Sequence, residues 1–179
     1  MPTTPHLTSI QTRLDEARSA AARGEFSNAE SLCAEFLADK PDHFAAMELH
    51  AKYLWETGKF AETVKTLDRL IEVNPYEPGY HCLKGMSLRC LGKFGPALRS
   101  LRVGIVAPGA RAAISEALTW QGSLINEMRR SDRTFALAEK RDPAKALRQY
   151  GFEPSEVDRP ARRLQQGRER LPQRNARPS

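Results

Sequence analysis

The sequence predicts an all-α fold of stacked antiparallel helix pairs, and three observations carry that expectation. The segments Gly-Glu-Phe-Ser-Asn-Ala at 24–29, Gly-Lys-Phe-Ala-Glu-Thr at 58–63 and Gly-Lys-Phe-Gly-Pro-Ala at 92–97 begin 34 residues apart, twice. Each is followed at equal distance by an apolar pair: Cys33/Leu37, Leu67/Ile71 and Leu101/Ile105. Pro41 and Pro75 then close two of the units 34 residues apart, and Pro108 closes the third one residue early. A period of this length marks a stacked helical array.

Each element has a local cause. A helical stretch precedes each glycine, as in 44–57 and 80–91, and the glycine supplies the left-handed residue that ends it. The phenylalanine two positions on, Phe60 for example, is expected to wedge between paired helices. Ala29, Thr63 and Ala97 are small enough to let the second helix approach closely. Thr63, Leu67 and Ile71 give that helix a buried stripe at i, i+4 and i+8. The proline stops the second helix. One such hairpin cannot bury its apolar face alone, whereas stacked hairpins can.

Beyond Pro108 the pattern loosens. Residues 109–128 read as one long helix, with Ile114, Ala117, Leu118, Ile125 and Met128 near helical spacing and Trp120 and Leu124 alongside. Ser131 is expected to cap a short helix containing Phe135 and Leu137. Asp142-Pro143 reads as the start of another, with Asp as cap and Pro at its first position, running to a stop at Gly151.

These landmarks resemble the tetratricopeptide repeat (TPR) family, with three repeats over residues 9–108. The family's small residue eight positions into each repeat is matched by Ala17, Ala51 and Gly85, and its apolar residue three further on by Ala20, Leu54 and Leu88. Leu49 and Leu83 sit one position earlier than the family's preferred leucine. The polar first helix of repeat one (Thr12, Asp15, Ser19) fits an N-terminal cap that must meet water. The resemblance implies a right-handed superhelical solenoid, in which residues 109–152 form a degenerate fourth repeat and a capping helix. Residues 153–179, with four prolines and few apolar groups, read as a flexible basic tail.

Composition excludes several classes. Of the 179 residues, 40% are hydrophobic and 28% charged, too apolar for a disordered chain and too polar for a membrane protein. No stretch approaches the roughly 18 apolar residues of a membrane span, and residues 1–20 show no secretory pattern. Cys33, Cys82 and Cys90 form no CxxC pair and read as packing residues in a reducing compartment, which points to the cytoplasm. No metal site or cofactor is expected. Walker, dinucleotide-binding, HExxH and nucleophile-elbow motifs are all missing, so the expected role is not enzymatic. His43 reads as a surface loop residue and His50 and His81 as packing or groove residues. The net charge of +6 is uneven: between residues 158 and 179, seven arginines stand against Asp158 and Glu169, leaving +5 there.

The TPR resemblance implies a concave groove lined by the first helices, where a protein or peptide segment lies. The matching positions are Arg18, Glu48, Lys52, Trp55, Cys82, Met86, Arg89 and Cys90. No asparagine stands at the first-helix positions where the family's carboxylate clamp would need one, so capture of C-terminal carboxylates is not implied. Three repeats on a short chain also resemble the type III secretion chaperones that hold translocator proteins, and residues 7–21 would supply the N-terminal helix through which such proteins form homodimers. The third alternative is contact with nucleic acid or another anionic surface through Arg159, Arg162, Arg163, Arg168 and Arg170 of the tail. No aromatic residue interleaves those arginines, so base stacking is unsupported. No small-molecule substrate is expected.

Overall fold

The computed structural model describes the backbone of residues 5–154 and the side chains of residues 12–154. Among the described residues there are nine α-helices and no strand. They are α1 (Pro5–Ala22), α2 (Phe26–Asp39), α3 (Phe44–Glu56), α4 (Phe60–Val73), α5 (Pro78–Cys90), α6 (Phe94–Val103), α7 (Ala110–Ser131), α8 (Arg133–Arg141) and α9 (Pro143–Gln149). The chain divides into two compact units between Ala117 and Leu118, inside α7. The arginine tail and its expected flexibility lie outside the described residues, as do the side chains of Leu7 and its neighbours.

In the first unit the helices pack as pairs, α1 with α2, α3 with α4 and α5 with α6, and α2 and α4 also pack on the first helix of the next pair. Every hairpin turn is built alike. Gly24, Gly58 and Gly92 have φ of 81°, 76° and 71°. The residue after each donates back five positions, as Lys59 N does to Leu54 O at 2.8 Å, and the glycine itself donates to the residue three before it, as Gly58 N does to Trp55 O at 3.0 Å. That pair of hydrogen bonds satisfies the last carbonyls of the first helix and needs a left-handed residue at the glycine. The second helix then starts on the phenylalanine itself.

The small positions are buried as the period predicts: Ala17, Ala51 and Gly85 on first helices, Ala29, Thr63 and Ala97 on second helices. Ala20, Leu54 and Leu88 are buried as well. At Gly85 the approach is too close for any side chain, because a β-carbon there would lie 2.6 Å from Leu101 Cγ and 2.9 Å from Ala97 O. Among the described residues, apolar clusters run through the unit from Leu14, Phe36 and Ala46, through Ala17, Cys33 and Tyr53, then Met47, Leu67 and Leu70, to Cys82, Leu101 and Ala113.

Several expectations are corrected. The deep residues late in α2 and α4 are Phe36 and Leu70, whereas Leu37 and Ile71 are half-buried. At 100° per residue, position i+7 stays on the stripe and i+8 drifts off it. Ile105 is not on a helix at all, since α6 ends at Val103. Phe60 and Phe26 are half-buried rather than wedged, and only Phe94, 7% exposed, is enclosed. His43 is not an idle loop residue: its Nδ1 accepts from Ala46 N at 3.2 Å and so caps α3.

In the second unit, α8 is capped by Asp132, whose carboxylate accepts from Thr134 N at 2.8 Å and Phe135 N at 3.0 Å. Ser131, the expected cap, instead turns back to Glu127 O at 2.9 Å. Asp142 caps α9 with Pro143 at its first position, and Gly151 ends it with φ of 81°, both as the sequence predicts. Phe135, Ile125, Leu147 and Phe152 are buried. The buried Gln121 side chain meets both backbone groups of Glu153, accepting at 3.0 Å and donating at 3.3 Å, so its amide is satisfied without water.

Candidate functional site

The residues expected to line a groove sit on α1, α3 and α5, and their surroundings differ. Lys52 is exposed on α3. Trp55, half-buried one turn later, has its ring centroid 5.1 Å from that of Phe60, so the phenylalanine of the turn serves to hold this indole. Glu48, exposed, accepts a hydrogen bond from Tyr80 of α5. Arg89 of α5 is ion-paired with Glu116 of α7. Arg18 pairs with Asp15 on its own helix at 2.7 Å. Cys90 is exposed at the end of α5.

Cys82 is different. At 5% exposed it belongs to the core, with Sγ 3.9 Å from Met86 Sδ and from Pro108 O. Burial pushes its thiol above the usual range. Cys82 therefore lines no open surface, and Met86, half-buried, packs against the same cluster. Cys90 corrects the opposite expectation, that all three thiols are packing residues.

Two residues that sequence reasoning missed, Tyr80 and Glu116, tie expected groove positions of one first helix to the next. Tyr80 reaches Glu48 across 32 residues, and burial together with that carboxylate drives its phenol well above its ordinary pKa. Pairings over such separations leave no mark in a local pattern. The result is a common face along α3, α5 and the first half of α7.

A second constellation lies between α2, α3 and α4. Glu30 is buried, with Lys59 Nζ 2.5 Å from one carboxylate oxygen and His50 Nε2 3.5 Å from the other. The His50 separation is too long for a good hydrogen bond, and that nitrogen is buried without a closer partner. Desolvation lowers the His50 pKa, more than Glu30 raises it, and Lys59 lowers it further. These three groups with Glu62, Lys65 and Thr66 border an open cleft of about 390 Å³. Among the described residues no group of three or more His, Cys, Asp or Glu side chains could hold a metal ion, and no helix is long and apolar enough to cross a membrane.

No protein-family model and no curated protein matches the chain. Solved structures do. A mutant of MamA aligns with a TM-score of 0.57 at 21% identity, covering 63% of this chain and 68% of that one. A MamA structure from Desulfovibrio magneticus RS-1 aligns with a TM-score of 0.52 at 14% identity, covering 84% and 76%. The fold is an all-α, TPR-like helical solenoid. At these identities the likeness is one of fold alone.

Proposed function

We propose that the chain is a non-enzymatic protein-interaction module, with three TPR repeats over residues 9–108 and a degenerate fourth repeat and cap over 109–152. A partner peptide or segment lies along the first helices. Lys52 and Trp55 anchor it, while Glu48, Arg89, Arg18 and Cys90 set its register and Met86 gives at its edge. The observation that carries this reading is the pair of links Glu48–Tyr80 and Arg89–Glu116. They join successive first helices side by side at the expected groove positions, and so support a continuous face that displays Lys52 and Trp55. Trp and Arg are the residue types that most often dominate binding energy at such surfaces.

The reading includes a cytoplasmic location. Self-association through the N-terminal helix, as in a secretion-type chaperone, gains little support from the polar face of the first hairpin. There Thr12, Asp15, Glu16 and Ser19 stand where the next hairpin presents Ala46, Leu49, His50 and Tyr53 to its neighbour.

The test is selection of ligands from a random peptide library on the full chain, followed by affinity measurement with Lys52→Glu/Trp55→Ala. A loss of more than about 2 kcal/mol supports the face. Selected ligands that bind the double variant as tightly as the wild type would exclude it.

A further inference from the structure

Glu30 of α2 is one buried carboxylate between two nitrogens that can each carry a charge. Lys59 Nζ lies 2.5 Å from one of its oxygens and His50 Nε2 3.5 Å from the other. The two neighbours differ in their access to water: the Lys59 side chain is 51% exposed and that of His50 17%. Lys59 also belongs to the α3–α4 turn. Its N–H closes the turn on Leu54 O at 2.8 Å, and it precedes the first residue of α4, Phe60, whose ring holds Trp55. The Lys59–Glu30 pair therefore ties this turn to α2 across 29 residues. Thirty-four residues on, the three positions hold Val64, Lys84 and Lys93, so the next turn lacks the carboxylate.

We propose that this centre is a proton-operated latch: when the His50 imidazole takes up a proton from water, Glu30 passes from Lys59 to the imidazolium and the turn that holds Trp55 is released. The reason is a balance of charges. One carboxylate offsets one cation, so a protonated His50 beside Lys59 leaves excess positive charge where little water reaches. Lys59 is the cation that leaves, because its side chain already reaches solvent, whereas His50 is held inside by its place on α3. Glu62 and Lys65, the other charged groups bordering the cleft, are exposed on α4 and of opposite sign, so neither drives the exchange. Burial keeps the proton off His50 at neutral pH, against the pull of Glu30 and with help from Lys59. The latch is thus closed at neutral pH and opens on acidification, a local opening of one turn. Its effect on a partner held at Trp55 rests on the groove reading above; the latch itself is read without a partner.

Trp55 and Trp120 are the two tryptophans of the chain, so the full chain carrying Trp120→Phe reports on Trp55 alone. Its fluorescence, the His50 ring-proton shifts in NMR and the far-UV circular dichroism are followed from about pH 7.5 to about pH 4.5, where histidine titrates. The expected result is a Trp55 emission shift with the same midpoint as His50, below the ordinary 6.5, at unchanged helix content. His50→Gln should abolish the shift. Lys59→Met should give the acid-form emission already at neutral pH and raise the His50 midpoint, since a repelling cation is gone. Emission that stays flat while His50 titrates, a shift that survives His50→Gln, or one that appears only as helix content falls would each overturn the latch. So would Lys59→Met with unchanged emission at neutral pH.

Discussion

Gly85 of α5 and Leu101 of α6 touch where the third helix pair closes, so tightly that a β-carbon on Gly85 would lie 2.6 Å from Leu101 Cγ. Gly85→Ala should therefore destabilise the fold by about 1–3 kcal/mol, even though alanine is the better helix former. Truncating Leu101 in the same chain should recover part of that loss. Urea denaturation of the two single variants and the double variant would show a coupling of at least about 0.5 kcal/mol. The carbonyl of Ala97, 2.9 Å from the same point, limits the recovery.

The three turn phenylalanines should not be energetically equal. Phe94 is enclosed and its truncation to alanine should cost about 3–5 kcal/mol. Phe60 rests half-exposed on Trp55, and its truncation should cost clearly less, within about 1–2 kcal/mol. Equal losses in chemical denaturation would contradict the burial difference.

His50 should make the fold acid-sensitive. Its folded-state pKa is lowered from 6.5, chiefly by desolvation. Between that lowered value and 6.5 the unfolded chain binds the extra proton, so stability is full above pH 6.5 and falls as the pH drops through this window. Below the folded-state pKa both states are protonated and the contribution stays lost. His50→Gln should flatten this part of the profile of melting temperature against pH. An unchanged slope would show that His50 is not the group responsible.

The three thiols should separate by reactivity. Burial, aided by Glu30, pushes Cys33 up to about 11, and burial raises Cys82 as well, whereas Cys90 is exposed. An aromatic disulfide reagent at mildly alkaline pH should modify one thiol quickly and the other two only on unfolding. Cys90→Ser should remove the fast phase. A fast phase that survives it would mean that Cys33 or Cys82 is open.

The array itself was legible in the linear pattern because its determinants are local. A glycine ends a helix by its own φ, an aspartate caps the next few amides, and a small residue at a fixed offset admits a neighbouring helix wherever that neighbour comes from. Hence the hairpin turns at Gly24, Gly58 and Gly92, the buried Ala17 and Thr63, and the α9 start at Asp142 could all be foreseen. What surrounds each side chain was not local, and the tertiary structure alone decided it. Cys82 is core although its register matched a groove position, because the turn at Gly104 closes over the start of α5. Arg89 and Glu48 meet partners 27 and 32 residues away. Equivalent positions such as Asp42 and Tyr76 share a backbone place but not an environment, since burial and charge pairing depend on which neighbours the chain brings up, and a period records only the spacing.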